Sequence, residues 1–243
     1  MYDNSCFLMH NQNPFSISPA SFHWHLREAQ KAPREKVEDP IKEIIQEAIS
    51  ASCTIYVASD GKQWSGSGFH VGDGVIATAG HVVPQELASA PSQISVTFDG
   101  ATLYPAKFLI TDPNIDSGLI VCPPISRQIK PVQLGDSDTA EVGDIIAAIS
   151  SPEGWKDTAT VGRISNTHQE LGDQAPTPAW NDVIFIDADI LQGSSGGMVI
   201  GTDGLVYGSV MGVTGQHAEL GLGENAICPS NKIKTLLEQV RGR

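Results

Sequence analysis

The pentapeptide Gly193-Ser194-Ser195-Gly196-Gly197 brackets two serines with glycines. A hydroxyl nucleophile needs a tight turn that exposes its oxygen and aims backbone N–H groups at one point, and glycine permits that backbone. Ser195 is the candidate nucleophile. The N–H groups of Gly193 and Ser195 are the candidate oxyanion hole, a feature worth about 2.7–4 kcal/mol per donor. Alone, these five residues also read as a flexible Gly/Ser hairpin. Serine is inert at neutral pH without a base. Thr78-Ala79-Gly80-His81-Val82-Val83 puts a histidine at the end of an apolar strand, and Asp116 stands just before the run Gly118-Leu119-Ile120-Val121. A carboxylate there can accept the His81 Nδ1–H, fix the tautomer and stabilise the imidazolium. Taken singly, His81 reads as a structural histidine and Asp116 as a turn residue. Together, His81, Asp116 and Ser195 make a base, its orienter and a nucleophile.

The elements that must position them are short strands. From Cys53, runs such as CTIYVAS, SGSGFHV, VIATAGHVV, QISVTF and GLIVC are separated by Asp60-Gly61, Asp73-Gly74 and Asp99-Gly100, which are hairpin signals. After the linker-like stretch Pro123–Pro131 a second set follows: DIIAAIS, TATVGRIS, DVIFIDA, GMVIGT, GLVYGSV and NAIC, with a further turn at Asp203-Gly204. Two sets of about six strands predict an all-β chain of two small barrels, one over about 52–128 and the other over about 132–228. His81 and Asp116 then belong to the first barrel and Ser195 to the second, so the cleft between them is the expected site. Residues 1–40 read as an irregular extension and 41–243 as the folded domain. Asp39 is a candidate N-cap with Pro40 at the first helical position. Residues 230–240 read as a capped amphipathic helix.

Composition narrows the function classes. Of 243 residues, 40% are hydrophobic and 18% charged, which excludes wholesale disorder. No apolar run approaches the ~18 residues of a membrane helix. The formal net charge is −13, and between Lys130 and Lys232 the only cations are Lys156 and Arg163. Such a surface repels phosphate backbones, so nucleic acid is not an expected partner. It suits basic peptides, or serves solubility alone. Cys6, Cys53, Cys122 and Cys228 are scattered, with no C-x-x-C pair, so a disulfide framework is not expected. The N-terminus lacks a basic n-region and an apolar h-region. These features lead to the expectation of a cytoplasmic chain with free thiols.

With these motifs in order, the chain resembles the trypsin-like serine proteases of the chymotrypsin fold, most closely their HtrA/Deg-type branch. The similarity lies in SGSGFHVGDGVIATAGHVV, LGDSDTAEVGDIIAAISSPEGW, FIDADILQGSSGGMVIGTDGLVYGSV and NAICPSNKIKTLL, and runs from about residue 50 to 240. It implies two six-stranded antiparallel barrels with a short N-terminal and a C-terminal helix. It implies an endopeptidase that needs neither cofactor nor metal and works through His81, Asp116 and Ser195. There are departures. Neither a PDZ domain nor the usual signal or anchor is expected, and Ser194 stands where the branch has Asn and the digestive enzymes Asp. Activation by an N-terminal ion pair is therefore not expected.

The resemblance also suggests a specificity. Asp189, six positions before Ser195, falls where such enzymes place the floor of the primary pocket, and Met211, Gly212 and Val213 would be its walls. An aspartate at the floor selects Arg or Lys; the alternative is the aliphatic preference of the HtrA type. Other readings remain: a catalytically silent protease fold that binds a partner, or an assembly subunit attaching through residues 1–50. That segment holds the aromatics Tyr2, Phe7, Phe15, Phe22 and Trp24, and a weak metal candidate, His23-Trp24-His25.

Overall fold

The structure is a computed structural model, describing residues 39–89, 92–125, 127–169, 177–213 and 225–242. The aromatic tail, His23, His25 and Cys6 therefore lie outside the described residues. Residues from Asp39 onward form one compact unit.

The first barrel contains β1 (Ser52–Ser59), β2 (Lys62–Gly72), β3 (Val75–Ala79), β4 (Ser92–Thr97), β5 (Tyr104–Asp112) and β6 (Ser117–Val121). It closes in the order β1-β2-β3-β6-β5-β4. The expected hairpin turns are there. Asp60 and Gly61 both have positive φ, as do Asp73 and Gly74, which is the backbone a two-residue hairpin needs.

The second sheet contains β7 (Gln133–Leu134), β8 (Ile145–Ser150), β9 (Thr158–Gln169), β10 (Val183–Ile186), β11 (Met198–Gly201), β12 (Leu205–Val213) and β13 (Asn225–Pro229). Pairing of β11 with β12 closes six of these into an antiparallel barrel. The short β7 adds to β12 in parallel, a pairing not legible in its two residues.

Apolar side chains serve three cores, and this explains the near-continuous apolar runs. Alternate residues of a strand face opposite sides. In β3, Ile76 points into the first barrel and Ala77 into the layer between barrels; in β6, Ile120 and Leu119 do the same. In β8, Ile146 and Ala148 fill the second barrel while Ala147 and Ile149 face the shared layer. Strands that carried a solvent face would show polar residues at every second position.

Two helices cover the shared layer. α1 (Pro40–Ala48) buries Ile41 and Ala48, and α2 (Ser230–Arg241) buries Ile233, Leu236 and Leu237. Their caps differ from expectation. Asp39 sits at the N-cap but its side chain makes no capping bond; its carbonyl accepts the Lys42 N–H at 3.0 Å. Ser230 is the first helical residue rather than the cap, and its hydroxyl donates to the Gly135 carbonyl at 2.7 Å. Packing of the helix onto the sheet recruits that hydroxyl before it can cap.

Candidate active site

His81 lies in the turn that follows β3, and this turn is tied down from several directions. Gly80 N–H donates to the Asp116 carbonyl at 2.8 Å. A Cβ at Gly80 would come within 3.1 Å of the Asp116 backbone, so glycine is what lets the two turns approach. Trp64 Nε1–H donates to the Val82 carbonyl at 2.8 Å, and Thr111 Oγ1 donates to the Val83 carbonyl. Neither Trp64 nor Thr111 was legible as a site residue, because each acts on backbone far away in the chain.

Asp116 occupies the turn between β5 and β6 with φ +46°, a left-handed conformation that Asp tolerates better than most residues. Its Oδ2 is 2.9 Å from His81 Nδ1, and its Oδ1 accepts the His81 backbone N–H at 2.8 Å. The carboxylate is largely covered, at 18% exposure, whereas the imidazole is 51% exposed. The structure thus brings His81 and Asp116 together in the geometry that orients a base.

Ser195 reaches the same region from the second barrel. Its carbonyl accepts the Ser67 N–H of β2 at 2.8 Å, a bond across the two barrels. Gly193 and Gly196 have φ of +89° and +84°. A Cβ at Gly196 would overlap the Ser67 carbonyl oxygen and Thr78 Oγ1, so the Ser195 loop seats against the first barrel only with glycine there. Ser195 is half-buried, and among the described residues its Oγ makes no hydrogen bond to His81. Such bonds are often long before substrate binds. Neither the Gly193 nor the Ser195 amide donates to a backbone carbonyl among the described residues.

Ser194 is buried, and its hydroxyl pairs with Ser150 Oγ at 3.1 Å and accepts the Leu191 N–H at 3.3 Å. The position before Ser195 is thus held by neutral hydrogen bonds.

The expected pocket residues divide. Met211 is buried and, with His81, Pro84, Pro113, Pro178 and Trp180, lines a cavity of about 620 Å³ beside the His81–Asp116 pair. Gly212 is half-buried and follows a register shift in the pairing of β12 with β13; Val213 ends β12. Asp189 is exposed, and its backbone carbonyl accepts from Thr160 Oγ1 at 2.8 Å. An exposed carboxylate there carries no burial cost for a basic side chain to offset.

Two closed barrels with a histidine and an aspartate on one and a glycine-flanked serine on the other define the chymotrypsin-like class. The chain belongs to the trypsin-like peptidase domain family, whose model matches residues 66–208, and it is similar to HtrA-type proteins. A probable periplasmic serine endoprotease, DegP-like, from Bartonella henselae is 34% identical over 144 residues, 59% of this chain and 27% of that protein. The equivalent from Chlamydia pneumoniae is 35% identical over 160 residues, 65% and 31% of the two chains. The chain thus spans about a third or less of the length of these relatives. Among solved structures, the HtrA-type protease AlgW with tripeptide superposes with TM-score 0.69 at 23% identity, covering 82% of this chain and 63% of that one. The serine endoprotease from Yersinia pestis gives 0.68 at 24%, covering 84% and 68%. At that identity the likeness is one of fold.

The cytoplasmic expectation is corrected here, since the relatives are named as periplasmic. It leaned on the N-terminal residues and on cysteine usage, yet Cys53, Cys122 and Cys228 are free and buried. A buried thiol is a small hydrophobe in any compartment.

Proposed function

We propose that this chain is a serine endopeptidase. Ser195 Oγ attacks the scissile carbonyl as His81 takes its proton. The oxyanion is stabilised by the N–H groups of Gly193 and Ser195. His81 returns the proton to the leaving amine, and water then hydrolyses the acyl-enzyme by the same route. The observation that carries this reading is the two-point hold of Asp116 on His81, which directs Nδ1 to the carboxylate and leaves Nε2 to exchange the proton.

The substrate class is a protein or peptide. The cavity beside His81, walled by Pro84, Pro113, Pro178, Trp180 and Met211, favours apolar side chains near the cut. The Arg/Lys reading keeps only the position of Asp189 in its support, now that the residue is exposed. Similarity to proteins named as periplasmic supports work outside the cytoplasm. Self-association or partner docking through residues 1–50 remains a proposal whose first 38 residues lie outside those described.

The test is labelling with a fluorophosphonate probe, followed by peptide mapping. Wild type should carry the label on Ser195, and Ser195→Ala and His81→Ala should carry none. A folded wild-type protein that stays unlabelled and cleaves no peptide from a mixed library would leave the fold as a binding module.

A further inference from the structure

Ser67 lies in β2 of the first barrel, fully buried, and every polar group it has is engaged at the nucleophile loop or its surroundings. Its N–H donates to the Ser195 carbonyl at 2.8 Å, and its own carbonyl accepts from Thr78 Oγ1 at 2.6 Å. Its hydroxyl does two things at once. It donates to the Gly193 carbonyl at 2.8 Å and accepts the Ser151 N–H at 2.9 Å. A single side chain on the barrel that carries His81 therefore holds both the residue that supplies an oxyanion donor and the segment that follows β8.

From this arrangement we infer that Ser67 is a positioning residue for the oxyanion hole, acting through Gly193; this rests on reading Ser195 as the nucleophile. Gly193 has φ +89° and no side chain to restrict it, so without an anchor it can turn both peptide planes that flank it. One of those planes carries the N–H that must face the developing oxyanion. The hydroxyl of Ser67 fixes the other by its carbonyl. Removing it orphans a part-buried carbonyl and a buried N–H, each of which costs free energy until the loop turns to satisfy it. The loop then relaxes away from the geometry in which Gly193 N–H serves the reaction. Substrate docking uses other surfaces and is spared.

The experiment compares wild type, Ser67→Ala, Ser67→Cys and Thr78→Val by burst kinetics with p-nitrophenyl acetate, which separates ground-state binding from acylation. Affinity for phenylboronic acid, which forms a tetrahedral adduct on serine, and Tm are measured alongside. Ser67→Ala should slow acylation by about 10–100-fold, approaching the loss of one oxyanion donor. Its binding constant for the ester should change by less than about twofold, while boronate affinity falls in step with acylation. Ser67→Cys, which keeps a weak donor, should lie between and serves as the readout if Ser67→Ala does not fold. Thr78→Val loosens β2 and the seat of Gly196 but leaves the hydroxyl on Gly193, so it should lose Tm and slow acylation less than Ser67→Ala does. The inference is overturned if the folded Ser67 variants acylate like wild type, or if Thr78→Val is slowed as much as they are. A wild type with neither burst nor fluorophosphonate label overturns the serine-peptidase reading itself, and this inference with it.

Discussion

Asp116 holds His81 at two places at once, taking the backbone N–H on Oδ1 at 2.8 Å and the ring Nδ1 on Oδ2 at 2.9 Å. The first bond fixes where the residue sits and the second fixes how the ring is turned. One aspartate, itself pinned through its backbone carbonyl by Gly80 N–H, thus sets both the position and the tautomer of the proposed base.

Asp116→Asn should separate these two duties. Asparagine tolerates the left-handed backbone at φ +46°, and its amide oxygen can still accept the His81 N–H. Its NH2 would face Nδ1 and force the wrong tautomer. The expected result is a loss of about 10⁴-fold in kcat with little loss of stability. Peptidase assays and thermal melts on the purified variant check both halves.

Gly196→Ala should damage stability and activity together. The new methyl would overlap the Ser67 carbonyl oxygen and Thr78 Oγ1, and φ is +84°. The contrast is Gly204→Ala, where φ is +79° but no atom lies within 4 Å of the added Cβ. Urea unfolding should show about 3 kcal/mol or more for the first and about 1–2 kcal/mol for the second.

His70 predicts an acid limit to stability. It is fully buried in β2, and its Nε2 accepts the Gly74 N–H at 3.1 Å. Burial holds the ring's pKa below its ordinary value, with the Ile129 carbonyl and Asp73 offsetting part of the effect. The folded protein therefore favours neutral His70. Its contribution is complete above the unfolded value of about 6.5 and declines as pH falls below it, because the unfolded chain takes up a proton that the folded one resists. Tm should drop between pH 7 and pH 5.5, and His70→Gln should flatten that slope. An unchanged slope in the variant would assign the acid loss to other groups.

Cys53, Cys122 and Cys228 should be silent thiols in the native protein. Burial pushes all three up, Cys228 to about 12, with Cys122 adding to the effect at Cys53. Since the thiolate is the reactive form, Ellman's reagent should react with them orders of magnitude more slowly than after unfolding in urea. Rapid reaction of the native protein at any of the three would place that thiol at the surface.

By itself the sequence determined the fold class and singled out His81, Asp116 and Ser195 as candidates, for a physical reason. Hairpin turns need Asp-Gly or Gly at set positions, strand faces need apolar side chains, and a nucleophile turn needs glycines; these are local demands that leave local marks. Asp116 and His81 were legible because each ends or begins an apolar strand. Tertiary structure alone decided what those residues touch. Ser67, Trp64 and Thr111 act on backbone groups from remote strands, and a serine that anchors Gly193 is written no differently from one at the surface. The exposure of Asp189 belongs to the same class. Whether a carboxylate six positions before Ser195 lies in a pocket or in water depends on the packing of loops, and spacing along the chain carries no record of that.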